Sequence, residues 1–72
     1  MIVYDPLWET MKKKGFTTYT LRKKCGIGNG TVQRLQKNSS VATSTLEKLC
    51  GFLDCELADV AVYIEDDAPD EG

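Results

Sequence analysis

The sequence predicts an all-α domain of five short helices, and three observations carry that prediction. Apolar residues recur at helical spacing, glycine or asparagine follows each of the first three apolar runs, and the only β-prone stretches are three-residue pieces near the two ends. At 72 residues the chain has room for one small domain, which buries roughly 60% of its unfolded surface.

Near the start, Ile2-Val3-Tyr4 is β-prone, and Asp5 then Pro6 read as an N-cap and a first helical residue. Helix one should run from about Pro6 to Lys14 with Leu7, Trp8 and Met11 on its apolar side. Lys12, Lys13 and Lys14 fall in the last turn, where the helix dipole favours cations, and Gly15 is placed to end the helix in the left-handed conformation. Thr17 can cap the second helix while Phe16 packs on Leu21 as a hydrophobic staple. That helix should stop at Cys25-Gly26.

Ile27 plugs the following turn, and a third helix starts at Gly28-Asn29 with Val32 and Leu35 on its buried side and Asn38 as terminator. After a polar connection, Thr43 is the preferred cap of a fourth helix whose Leu46, Leu49, Cys50 and Leu53 follow i, i+3, i+4, i+7 spacing. A short fifth helix around Glu56 to Ala61 should bury Leu57 and Val60. Val62-Tyr63-Ile64 is β-prone again, suited to pairing with Ile2-Val3-Tyr4 or with the same strand of a second subunit. Residues 1–64 are thus read as one domain and 65–72, with five acids, as a solvated, flexible tail.

Charge is distributed unevenly. Between Thr10 and Leu46 there is no Asp or Glu, yet the window holds Lys12, Lys13, Lys14, Arg22, Lys23, Lys24, Arg34 and Lys37. All eleven acids and one base, Lys48, lie outside it, so a net charge of −2 conceals a surface suited to a polyanion.

Several classes are disfavoured. No run approaches the roughly 20 apolar residues of a membrane span, and the amino terminus does not read as a secretory signal; a cytoplasmic, nucleoid-associated location is expected. With no histidine and no Cys-x-x-Cys pair, Cys25, Cys50 and Cys55 read as reduced structural thiols, with no metal and no cofactor. No nucleophile and general base can be assembled, so an enzyme is not expected, and no small-molecule ligand is evident. The Gly26-x-Gly28-x-Gly30 spacing belongs to a turn.

Residues 18–35 read TYTLRKKCGIGNGTVQRL, with leucine at the fourth place, glycine at the ninth, and apolar residues at the tenth, fifteenth and eighteenth. This resembles the helix-turn-helix of the phage repressor and Cro-like (XRE-type) transcriptional regulators. The leading helix with Leu7-Trp8, the Thr45-Leu-Glu-Lys-Leu-Cys helix and the Leu53-Asp-Cys segment are similar to the compact one-domain branch of that family, over residues 2 to 64. The resemblance implies a repressor-like fold and a homodimer acting on double-stranded DNA.

It also implies a recognition helix, about residues 29–37, whose groove-facing places fall on Gly28, Asn29, Gly30, Gln33 and Arg34. Arginine can donate two hydrogen bonds to guanine and asparagine can do the same for adenine, so Arg34, Asn29 and then Gln33 are the expected base readers. Thr17, Thr18, Thr31, Lys37, Asn38 and Ser39 match the family's phosphate-contacting positions, although Thr17 and Thr18 serve equally well as caps. Two departures stand out: Arg22 occupies a place where the wider family carries alanine, and Gly30 offers a base no side chain at a cost of about 1 kcal/mol in helix propensity. A protein-interaction module or antitoxin-like regulator subunit, keeping the fold without DNA readout, is the alternative.

Overall fold

A computed structural model describes residues 1–65, so the expected tail from residue 66 onward lies outside the described residues. Strand β1 is Ile2–Val3 and helix α1 is Asp5–Lys14. Helix α2 opens with the α turn Thr18–Thr20 and widens into the π segment Leu21–Cys25. Helices α3, Asn29–Gln36, and α4, Thr43–Leu53, follow. A single 3-10 turn, Leu57–Asp59, leads into strand β2, Val62–Tyr63.

The expected fifth helix is therefore one 3-10 turn, and the helices among the described residues number four. The Asp59 carboxylate accepts the Glu56 N–H at 3.1 Å and fixes that turn at its start. One turn supplies one buried side: Val60 is fully buried, whereas Leu57, expected inside, is 55% exposed. Of the two pairings open to the β-prone ends, the intrachain one is formed, antiparallel, with Ile2 opposite Tyr63 and Val3 opposite Val62.

Two caps sit one residue earlier than expected. Tyr4 occupies the N-cap position of α1 and Asp5 lies inside its first turn, where its charge still complements the dipole. Ala42, in extended conformation, precedes α4, and Thr43 is the first helical residue. The helix-stop signals hold. Gly15 and Gly26 have φ of 75° and 78°, and Asn38 has φ of 58°, each terminating a helix in the left-handed region that β-carbons disfavour. Phe16 N–H donates to Met11 O at 2.8 Å past the Gly15 cap, which turns the chain sharply into α2. At Thr17 the backbone N–H donates to the Thr20 hydroxyl at 3.2 Å, holding the start of α2.

The core gathers one or two residues from each helix: Leu7 and Met11 of α1, Leu21 of α2, Val32 and Leu35 of α3, Leu49 and Leu53 of α4, joined by Tyr4, Ile27 and Val60. Five of these are leucines with at most 1% exposure, each worth about 1.5–3 kcal/mol of burial. Phe16 packs at the edge of this core against Phe52, with ring centroids 5.5 Å apart.

Cys25, Cys50 and Cys55 are free and half-buried against the core, in keeping with small apolar residues. Burial pushes the Cys25 thiol up, partly offset by Lys48. Burial also raises Cys55, reinforced by Cys50 and Asp59.

Candidate nucleic-acid interface

The turn between α2 and α3 is built from three residues with distinct tasks. Gly26 takes the left-handed conformation, and its N–H donates to Leu21 O across the widened last turn of α2. Ile27 N–H reaches the same carbonyl at 3.0 Å, and its side chain, 4% exposed, fills the angle between the helices. Gly28, in extended conformation, then starts α3 by accepting the Val32 N–H at 3.0 Å. With Val32 and Leu35 seated at 2% and 0% exposure, the remaining sides of α3 are turned outward. Helix two and helix three thus form a helix-turn-helix whose second member is presented to solvent.

Asn29, Gly30, Gln33 and Arg34 are all exposed on α3. Asn29 and Gln33 are four residues apart and Gly30 and Arg34 likewise, so the four share one helical face. Among the described residues no hydrogen bond occupies the side chains of Asn29, Gln33 or Arg34, which leaves their donors available. A β-carbon added at Gly30 would meet nothing within 4 Å, so no neighbour within the fold requires glycine there.

The expected phosphate-contacting residues divide into two groups. Thr17 is exposed and Thr18 half-exposed at the start of α2, and Thr31 is half-exposed in the first turn of α3. Next to Thr18, Tyr19 is 60% exposed and the Lys23 ammonium lies 6.0 Å from its ring centroid. Tyr19 is not among the expected contacts, and what marks it in the sequence is an aromatic residue at a position that the apolar spacing of α2 leaves outside.

Lys37, Asn38 and Ser39 form the other group, just past α3. Lys37 is exposed and uncommitted in its side chain among the described residues, but Asn38 and Ser39 already have internal work. Asn38 Oδ1 accepts the Tyr4 N–H at 3.0 Å, and Ser39 O accepts the Tyr4 hydroxyl at 2.9 Å. Tyr4, 3% exposed, thereby ties the entry of α1 to the exit of α3. The amide of Asn38 and the hydroxyl of Ser39 stay available to a ligand.

Packing also sorts the basic window. Arg22, Lys23, Lys24, Arg34 and Lys37 are exposed on or beside the helix-turn-helix, with Arg22 in the widened half of α2. Lys13 and Lys14 instead border a depression shared with Asp54, Glu56 and Asp59, so part of the positive charge is neutralised away from α3. Among the described residues no group of three or more metal-ligating side chains comes together. Among the described residues no helix is long and apolar enough to cross a membrane.

The model of the Cro/C1-type helix-turn-helix DNA-binding domain matches residues 6–66. The crystal structure of the transcriptional regulator VanUg, Form II, is similar with a TM-score of 0.85 and 25% sequence identity, covering 90% of this chain and 87% of that one. No curated protein matches the chain in sequence. With α2, the Gly26-Ile27 turn and the outward face of α3 all inside the matched span, this chain belongs to the Cro/C1-type helix-turn-helix DNA-binding domains.

Proposed function

We propose that the protein binds double-stranded DNA sequence-specifically and regulates transcription, with α3 entering the major groove. The observation that carries this is the face of α3: Asn29, Gln33 and Arg34 stand exposed together, opposite the Val32 and Leu35 anchor, on a helix-turn-helix ringed by lysine and arginine. Arg34 reads guanine through its two parallel donors, Asn29 reads adenine, and Gln33 assists. Thr17, Thr18 and Thr31 hold the backbone at the start of the two helices, with Tyr19 beside them, and Lys37, Asn38 and Ser39 hold it on the other flank. The description of VanUg as a transcriptional regulator supports the same role.

The mechanism is occupancy of a promoter without chemistry, by a homodimer on a two-fold site, in the compartment that holds the DNA. Glycine at two of the five groove-facing places leaves a base code carried by few side chains, so affinity rests heavily on phosphate contacts. If about four phosphates are neutralised, log K falls with log salt at a slope near −3.6. Selection from random duplexes followed by a salt titration tests the reading; a flat salt response at micromolar protein, with no duplex enriched, would overturn it.

A second reading, a protein-interaction module or antitoxin-like subunit, draws on the exposed apolar residues around β2. Retention of a protein partner by a chain that enriches no duplex would favour it.

A further inference from the structure

Cys50 and Cys55, five positions apart, are brought together where α4 ends. Asp54 closes that helix with φ of 53°, in the left-handed region, and its N–H donates to Cys50 O. The Cys55 N–H donates to the same carbonyl at 3.1 Å. A stop built on this pair of bonds folds the residue after the left-handed one back over the last helical turn, where its side chain meets that of the residue five places earlier. Apolar side chains ordinarily fill that contact. In this chain both places hold a thiol.

Two further observations set the pair apart from buried, inert cysteines. Both are free and only half-buried, and they open on different sides of the helix end. Cys50 borders a shallow depression with Leu46, Glu47 and Leu57, and Cys55 borders one with Lys14, Asp54 and Asp59. A small reagent can therefore reach either sulfur. Burial pushes the Cys55 thiol up, with Cys50 on α4 and Asp59 on the 3-10 turn acting in the same direction and Lys14 on α1 opposing them, so Cys55 rests as the thiol in neutral solution. Cys25 is placed differently, its thiol donating to Lys48 O at 3.9 Å, and serves as an internal control.

We propose that Cys50 and Cys55 form a dithiol site that low-molecular-weight disulfides oxidise to an intramolecular disulfide across the end of α4. One cysteine thiolate attacks the small disulfide, forming a mixed disulfide and expelling one small thiolate. The other cysteine, after losing its proton to solvent, attacks the protein sulfur of that mixed bond and expels the second. Two cysteine thiols thus give up two electrons, and the small disulfide is reduced to two thiols. A backbone hydrogen bond between two residues keeps their Cα atoms on the order of 6 Å apart, within the span of a disulfide, so closure needs side-chain rotation and no movement of α4. The bond ties α4 to the segment that enters the 3-10 turn, and α3 lies outside it. The site is independent of the DNA-binding reading, and no duplex enters its test.

That test is incubation of the full reduced chain with oxidised glutathione, followed by alkylation, cleavage at Asp54 and mass mapping. Alkylatable thiols should fall from three to one, with the Cys50 and Cys55 fragments joined and Cys25 alkylated. The folded chain should favour closure over the same chain in urea by about tenfold or more, because the helix stop already holds the thiols together. Cys50→Ser and Cys55→Ser should each stop at a mixed disulfide with unchanged helical circular dichroism. Cys25→Ser should close the bond as the wild type does, and it decides the matter if either of the other variants fails to fold.

Three alkylatable thiols after incubation overturn the proposal, as does a wild-type chain that stops at mixed disulfides. A bond that includes Cys25, or closure equally favoured in urea, overturns it too.

Discussion

At its start α3 has Gly28, Asn29 and Gly30, all exposed, with the Asn29 side chain making no hydrogen bond among the described residues, whereas just past its end Asn38 and Ser39 are tied to Tyr4 by hydrogen bonds of 3.0 and 2.9 Å. The difference separates reading from seating. A helix anchored at its exit by a buried tyrosine holds one axis relative to the domain, so ordering costs on binding fall only on the side chains that touch bases. Leaving the entry bare keeps donors free and lets the backbone approach a groove closely.

The sharpest way to break this contrast is at the seated end. Asn38→Ala removes the acceptor of the Tyr4 N–H and forces a β-branchless but ill-suited residue into φ of 58°, and a loss of about 2–3 kcal/mol in urea unfolding is expected. Asn38→Gly, which keeps the left-handed backbone, should recover part of it. On the outward face of the same helix, Arg34→Ala should leave stability unchanged and cost about 1–3 kcal/mol of affinity for the selected duplex, relaxing one base position. An equal loss on every duplex would reassign Arg34 to phosphate.

Smaller effects refine the same comparison. Tyr4→Phe removes only the bond to Ser39 O, and thermal melting should register a loss of about 1 kcal/mol. Gly30→Ala, at a site with open space around the β-carbon, should gain about 0.5–1 kcal/mol of stability. If duplex affinity drops despite that gain, the bare backbone at Gly30 is part of the interface; if it is unchanged, glycine there serves neither folding nor binding.

Local chemistry explains what was legible in the sequence. Gly15, Gly26 and Asn38 announce helix ends because a left-handed residue is decided by its own side chain, and Ile27, Val32 and Leu35 announce a buried seam because spacing fixes a face. The exposed set Asn29, Gln33 and Arg34 follows from the same spacing. Tyr4 reads as part of a β-prone stretch because its partners lie 34 and 35 residues away, a separation no local pattern encodes. Phe52 likewise finds Phe16 only through the tertiary fold. Helical spacing pairs Leu57 with Val60 and predicts both inside, but a single 3-10 turn closed by Asp59 never completes the face that would bury Leu57. The division of the lysine run, with Lys13 and Lys14 beside acids, also depends on contacts distant in sequence.

The terminal sheet joins residues separated by up to 63 positions through strands of two residues each. Closing so long a loop from an open chain costs on the order of 4 kcal/mol, more than a few net hydrogen bonds of about 1 kcal/mol return. The ladder therefore forms only after the helices have brought both ends together, making it the last element to assemble and the first to fray. The paired ends are consequently a signature of completed folding, a ladder that an unfinished chain does not carry.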